Sequence, residues 1–431
     1  MKITLLAMGT FGDIRPFLAL AYGLEEQGHR VTLAGPENFH DYVVHSYRRP
    51  YHPIGIDSQQ VLESEEGRKW MASGDVKQFL KQLNLINHQN RFAMQKDAAA
   101  ACADAELIIA HPLQLYFGCC LSEKMNIPII VANPFPVAPA TRAFPHFLAT
   151  AKGLPLAFLN KASYRLVASA YEKGQRPDMI EWRAQLGLTR PRGSLFNKIE
   201  KQRIPVMQAF SRELVPKPAD WGDLVEVTGP WKIPNRYVPE HEKAPLDADL
   251  DGWLQEGPAP IYFGFGSLPV LEPRKMIDMA IELARTLQTR AIIASGWTVM
   301  DGVEGTLPDT VRMIKSANHE RLFPRCSVIV HHGGAGTTHT ATESGTPSIV
   351  CSTYADQPFW GERLATLGIG RHIPFPKLAK EKLLQAIREL QNPAVGAKIA
   401  PIAKRMKAEN GLESALQFLN RCMESAPVYR N

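Results

Sequence analysis

Twice along the chain, short runs of consecutive apolar residues alternate with longer amphipathic stretches, and this pattern limits the possible folds more than any single residue does. In the first pass Ile3 to Met8 reads as a strand and Ile14 to Gln27 as a helix. Arg30 to Ala34 reads as a strand, Lys77 to Ala103 as one or two helices, and Leu107 to Ala110 and Ile127 to Ala132 as further strands. Strands that are apolar throughout belong to sheets covered on both faces, and alternation with helices makes such sheets parallel. From Pro260 the pattern restarts: Ile261 to Phe263, a helix over Arg274 to Leu287, strands at Ala291 to Ala294, Val311 to Ile314 and Val328 to His331, then a glycine-rich turn, a helix and a strand at Ser348 to Cys351. The expected fold is therefore α/β, with two doubly wound parallel-sheet domains.

The proline-rich stretch Thr228 to Pro260 has the composition of a linker. Domain limits follow at 1–235 and 236–405. The last part of the helical stretch Glu381 to Met423, within 406–431, is expected to pack back on the first domain.

A chain of 431 residues, 45% hydrophobic and 21% charged, has the size for two to three domains and is too apolar for a disordered protein. The six cysteines show no C-x-x-C spacing and mostly lie in apolar runs, as small hydrophobes in a reducing cytosol would. Ile3 to Met8 is too short for a signal peptide core, and no run of about eighteen apolar residues occurs. A cytoplasmic location is expected. The net charge of +6 is mild and does not point to nucleic acid. It is uneven, however: residues 152–203 hold 11 Lys and Arg against 4 Asp and Glu, interleaved with Phe158, Leu159, Tyr164 and Leu166. This stretch reads either as a solvated basic helix face or as an amphipathic surface for peripheral contact with an anionic membrane.

Most of the chemistry lies in Ile329-Val330-His331-His332-Gly333-Gly334-Ala335-Gly336-Thr337-Thr338-His339-Thr340. A buried strand ends in two histidines, glycines form the turn, and small residues open a helix near Gly336. Unpaired backbone N–H groups and the positive helix end then make an anion site suited to a diphosphate. Neither G-x-x-x-x-G-K-[ST] nor the three-glycine dinucleotide fingerprint is present.

The run from His319-Glu320-Arg321-Leu322-Phe323-Pro324 through His332 to Thr338, and on to Ala355-Asp356-Gln357-Pro358-Phe359-Trp360-Gly361, resembles the donor-sugar box of family 1 glycosyltransferases. It is most similar to the sterol 3-beta-glucosyltransferase branch and to bacterial macrolide, glycopeptide and rhamnolipid glycosyltransferases. Gly264-Phe265-Gly266-Ser267 and Gly9-Thr10-Phe11-Gly12-Asp13-Ile14-Arg15-Pro16 match as well. The resemblance implies a GT-B fold, two Rossmann-like domains facing each other, with acceptor bound by the N-terminal and nucleotide sugar by the C-terminal one.

The resemblance also implies site residues. His332, Gly334, Gly336, Thr337, Thr338, Ser267 and Gly12 would contact the diphosphate, Asp356 and Gln357 the sugar hydroxyls, and Trp297, Asn318 and His319 the base. Asp13 would be the catalytic base of an inverting transfer, and would also suit an N-cap before Ile14. His111, after strand Leu107 to Ala110, is the alternative base or a partner to Asp13. In the plant version of the box a ribose-gripping glutamate falls at Thr340, with Glu343 three residues later here. Asp247-Ala248-Asp249 mimics a metal-binding D-x-D, but precedes Leu250, Trp253 and Leu254 at helical spacing and reads as a solvated helix start.

The function expected is a cofactor-free, metal-independent transfer of a hexose, glucose from UDP-glucose, to a hydroxyl of a lipophilic acceptor such as a sterol, terpenoid or polyketide. The alternatives are a dTDP-deoxysugar transferase and a non-catalytic nucleotide-sugar-binding subunit.

Overall fold

The computed structural model describes residues 1–67, 75–149, 156–191, 193–264, 273–295 and 307–424. Among them are two sheets whose neighbouring strands all run parallel. The first has seven strands: β1 (Lys2–Leu6), β2 (Arg30–Pro36), β3 (Tyr51–Ile54), β4 (Leu107–Ala110), β5 (Ile129–Asn133), β6 (Val206–Gln208) and β7 (Val225–Val227). Their order is β3-β2-β1-β4-β5-β6-β7. The second has six: β8 (Ile261–Gly264), β9 (Ala291–Ala294), β10 (Val311–Ile314), β11 (Val328–His331), β12 (Ser348–Val350) and β13 (Gly370–His372), in the order β10-β9-β8-β11-β12-β13. Each order reverses direction once, between β1 and β4 and between β8 and β11. At such a reversal the loops leaving the two central strands diverge to opposite faces and open a crevice at the carboxyl edge.

The chain forms two compact units, one of Met1–Val61, Val76–Pro239 and Glu409–Asn431, the other of Leu62–Asp75 and Glu240–Ala408. The first runs past 235 because its core holds on to the chain that follows β7. Trp231 and Ile233 are buried in that core, and Tyr237 stacks on Tyr22 with centroids 4.1 Å apart. The helix Gly411–Glu424 belongs to the same core, through Leu416, Phe418 and Leu419 against the helix Phe11–Glu26. Gly23 makes this approach possible: a Cβ there would lie 2.9 Å from Leu416 Cδ1.

The continuous apolar strands are where the pattern places them. Four that it misses, β3, β6, β7 and β13, are short, and β3, an edge strand, contains Pro53, which a central strand would not accept. The linker stretch holds the helix Ala248–Gln255, capped by Asp247 Oδ1, which accepts the N–H groups of Asp249 and Leu250 at 3.0 and 3.3 Å. That carboxylate is thus a helix cap. All six cysteines are buried and unbridged, and burial pushes the Cys102, Cys119 and Cys351 thiols up to about 12.

Candidate active site

In the first unit the loops leaving β1 and β4, which flank the reversal, carry Asp13 and His111. The helix after β1 begins at Phe11 with Thr10 as its N-cap, so Asp13 is not the cap expected from sequence but lies in the first turn. Its Oδ2 accepts the Thr10 backbone N–H at 2.7 Å and the Thr10 hydroxyl at 3.2 Å. Gly9 makes room for it. With φ at +131° the loop takes a conformation glycine prefers, and a Cβ there would lie 2.2 Å from Asp13 Oδ2.

His111 is fully buried between the edges of Phe17 and Phe135. Its Nδ1 accepts the Leu113 N–H at 3.2 Å, so the neutral ring carries its proton on Nε2, 3.4 Å from Asp13 Oδ1. A nitrogen that already bears a proton cannot take another from a substrate. His111 Nε2 therefore faces Asp13 with its proton, at a distance that allows electrostatic attraction but outside hydrogen-bond geometry. Gly12, second in the helix, is exposed with space around it.

In the second unit β11 ends at His331, and the helix Ala335–Ser344 starts at the reversal with Gly334 as an N-cap that offers no side chain. The first bond within the helix is Thr338 N–H to Gly334 O, at 3.0 Å, which leaves the N–H groups of Ala335, Gly336 and Thr337 without acceptors in the helix. Nothing lies within 4 Å of a Cβ built on Gly336. Gly333 turns the chain with φ at +97°, where a side chain would meet Val350. Gly334 leaves room for the His332 ring, whose Nε2 would lie 2.6 Å from a Cβ. The Thr338 hydroxyl is turned inward and donates to Gly334 O at 2.9 Å, whereas Thr337 is half-buried.

Burial pushes His332 down to about 4, with His319 as a weaker, like-charged influence, and holds the fully buried His331 far below its usual range. His331 Nδ1 accepts the Gly333 N–H at 3.1 Å, which fixes the turn. A neutral His332 can still offer an N–H to an oxyanion. His319 is also pushed down to about 4 by burial, and it stacks on Phe323 and meets the Tyr262 hydroxyl at 3.1 Å. Asn318 spends its side chain locally: Oδ1 caps Glu320 N–H and Nδ2 donates to Glu242 O.

These shifts carry a sign. In the unfolded chain both histidines titrate near 6.5, so below that pH it binds protons the folded chain refuses. Stability is expected to fall between pH 6.5 and 4, by at most about 1.4 kcal/mol per pH unit for each histidine. Urea denaturation at stepped pH measures it, and a flat profile across this window would contradict the burial of both rings.

The loop after β12 carries Asp356 and Gln357 at the start of the helix Gln357–Leu367. Asp356 does not cap the helix with its side chain. Its Oδ2 accepts the Trp360 indole N–H at 2.6 Å, while Gln357 Oε1 accepts the N–H and hydroxyl of Thr353, each at 2.9 Å. Two braces that sequence reasoning missed hold this loop. The Ser352 hydroxyl meets His372 Nε2 at 2.7 Å, and His372 Nδ1 meets Glu362 at 2.9 Å. His339, bonded to Ala335 O at 2.6 Å, packs edge-on against Trp360, linking the glycine turn to the Asp356 loop. These partners are far apart in sequence, and no spacing announces them. Ser267 and Trp297 lie outside the described residues.

Residues 3–145 match the model of the glycosyltransferase family 28 N-terminal domain, and 288–414 that of the C-terminal domain of erythromycin biosynthesis protein CIII-like proteins. A sterol 3-beta-glucosyltransferase of Arabidopsis thaliana is 31% identical over 436 residues, covering 98% of this chain and 68% of that protein. Among solved structures, the glycosyltransferase of kitacinnamycin superposes with a TM-score of 0.71 at 18% identity, covering 97% of this chain and 98% of that one. A Streptomyces sp. SF2575 glycosyltransferase complexed with thymidine diphosphate gives 0.60 at 19%, covering 99% and 100%. The fold is GT-B. With two parallel-sheet units, a glycine-lined, side-chain-uncapped helix start at the second reversal and a relative of this likeness, the chain belongs to the glycosyltransferase family that includes the sterol 3-beta-glucosyltransferases.

Proposed function

We propose that the protein transfers glucose from UDP-glucose, with inversion and without a metal, to the hydroxyl of a sterol or similar lipophilic acceptor. The observation that carries this reading is the uncapped, glycine-lined helix start at Gly334 to Thr337 beside His332. Three N–H groups and a neutral imidazole can take the charge that builds on a departing diphosphate. Asp13 accepts the proton of the acceptor hydroxyl as its oxygen bonds to the anomeric carbon and the bond from that carbon to the diphosphate oxygen breaks. His111, with its proton on Nε2, holds Asp13 in place rather than acting as the base. Asp356 and the amide nitrogen of Gln357 orient the sugar hydroxyls. Thr337 and Gly12 complete the diphosphate contacts, and His319 and Asn318 shape the base end.

A thymidine-diphosphate deoxysugar is the second reading, supported by the fold neighbour that carries thymidine diphosphate and by Thr340, which offers no carboxylate to a ribose. A thermal-shift panel of UDP- and TDP-sugars separates the two, since a ligand at 100 times its Kd adds about 2.7 kcal/mol. Incubation of the purified protein with UDP-glucose and a sterol is expected to yield a sterol glucoside. A donor shift without transfer to any hydroxyl would instead indicate a nucleotide-sugar-binding subunit.

A further inference from the structure

Two of the three acids of the helix Ala157–Gln185, Glu172 and Asp178, are turned inward, while Arg165, Lys173 and Arg176 are turned outward. Glu172, 8% exposed, accepts the Ser194 hydroxyl at 2.6 Å, and Asp178, 6% exposed, meets His88 Nδ1 at 2.9 Å. Arg165, Lys173 and Arg176 are exposed and make no ion pair or hydrogen bond among the described residues. They share the outer face with Phe158 and Leu166, 62% and 72% exposed, and Leu156 at the N-cap is 51% exposed. Two further bases of the stretch are different: Arg183 is buried and paired with Glu123, which also takes Lys198.

The helix Val76–Ala101 packs on this one, with Asn84 bonded to Gln175 and His88 to Asp178, and its outer face repeats the chemistry. Lys81, Leu85, Phe92 and Lys96, spaced to share one side, are all exposed, Leu85 by 45% and Phe92 by 54%. Six of the eight large apolar side chains exposed among the described residues lie on these two helices or the N-cap. A solvated basic face would not gather them. Large apolar side chains set among unpaired cations, without an exposed acid between 157 and 176, match a surface that is anionic outside and apolar a few ångströms deeper.

We infer that the outer faces of these two helices dock on an anionic lipid bilayer, with Phe158, Leu166 and Phe92 entering the headgroup boundary and Arg165, Lys173 and Arg176 meeting the lipid phosphates. Among the described residues no helix is long and apolar enough to cross a membrane, and the contact inferred is a peripheral one. It accords with the proposed lipophilic acceptor but is read from surface chemistry alone.

The test is flotation of the full chain with phosphatidylcholine vesicles containing 30% phosphatidylglycerol, against pure phosphatidylcholine. Binding should require the anionic lipid and fall with salt. Each cation near such a surface is worth roughly fivefold, so Arg165→Gln, Lys173→Gln and Arg176→Gln together should lower partitioning by about 100-fold. Phe158→Ser with Leu166→Ser should lower it by at least tenfold even at low salt. All five positions are exposed, and an unchanged UDP thermal shift certifies the fold of each variant. Absent binding, equal binding to both vesicle types, or variants that bind like the parent would each overturn the inference. None of these outcomes bears on transfer activity, which is assayed separately.

Discussion

Asp13→Asn is expected to lower kcat by about 10²–10⁴-fold, the contribution of a well-placed general base, while leaving the affinity for the nucleotide sugar within about twofold. The amide oxygen of asparagine can accept the Thr10 N–H as Oδ2 now does, so the helix start survives and only the proton acceptor is lost. Affinity is expected to be spared because, Gly12 apart, the proposed donor-binding groups lie on the turn after β11 and the loop after β12, in the other unit, and the substitution leaves the Gly12 backbone unchanged. Steady-state kinetics at saturating donor, paired with calorimetric titration of UDP, separate the two effects. Full turnover in this variant would remove Asp13 from the mechanism and return attention to His111. His111→Gln should cost less, since glutamine still presents an N–H toward Asp13, and a loss as large as that of Asp13→Asn would show that the ring does more than orient.

Gly336→Asp is expected to weaken donor binding by about 100-fold or more, because it puts a carboxylate where a diphosphate must come, and like charges at close range in a partly buried site cost about 3 kcal/mol. The same change should leave the fold intact or raise its stability by roughly 0.3–1 kcal/mol, since an acid in the first turn favours the positive helix end. Open space around Gly336 removes any steric objection. The opposite signs make the experiment decisive: melting temperature holds or rises while the shift induced by UDP-glucose disappears. A variant that still binds the donor would show that the diphosphate does not sit at this helix start.

The features legible in sequence were those with short-range signatures. Continuous apolar runs gave β1, β4, β8, β9 and β11, and the glycines gave the turn between β11 and its helix, because one segment holds all that the turn needs. Strand order was not legible in the residues. Three-residue strands such as β6 and β13 carry too few side chains to show a period, and their place comes from the neighbour they pair with. Hydrogen-bond partners were illegible for a similar reason. That Thr338 turns its hydroxyl back on Gly334, that Leu113 fixes the His111 tautomer, and that His372 joins Ser352 to Glu362 depend on rotamers and on chain brought together by the fold. The basic stretch shows the limit best. Its net charge could be counted, but the turning of Glu172 and Asp178 inward, which leaves no exposed acid between 157 and 176, depends on Ser194 and His88, brought together with them by the fold.

The return of Gly411–Glu424 to the first unit has a consequence for synthesis. The second sheet lies wholly between Ile261 and His372, so every strand it needs has been made before that last helix exists. The first unit, although its β1 precedes the whole second sheet, lacks Leu416, Phe418 and Leu419 from its core until after that sheet's last strand has been made. On the ribosome the order of completion is thus the reverse of the order of translation: the unit that starts first closes last, and its apolar helix Phe11–Glu26 waits, uncovered on one side, for a partner some 400 residues downstream.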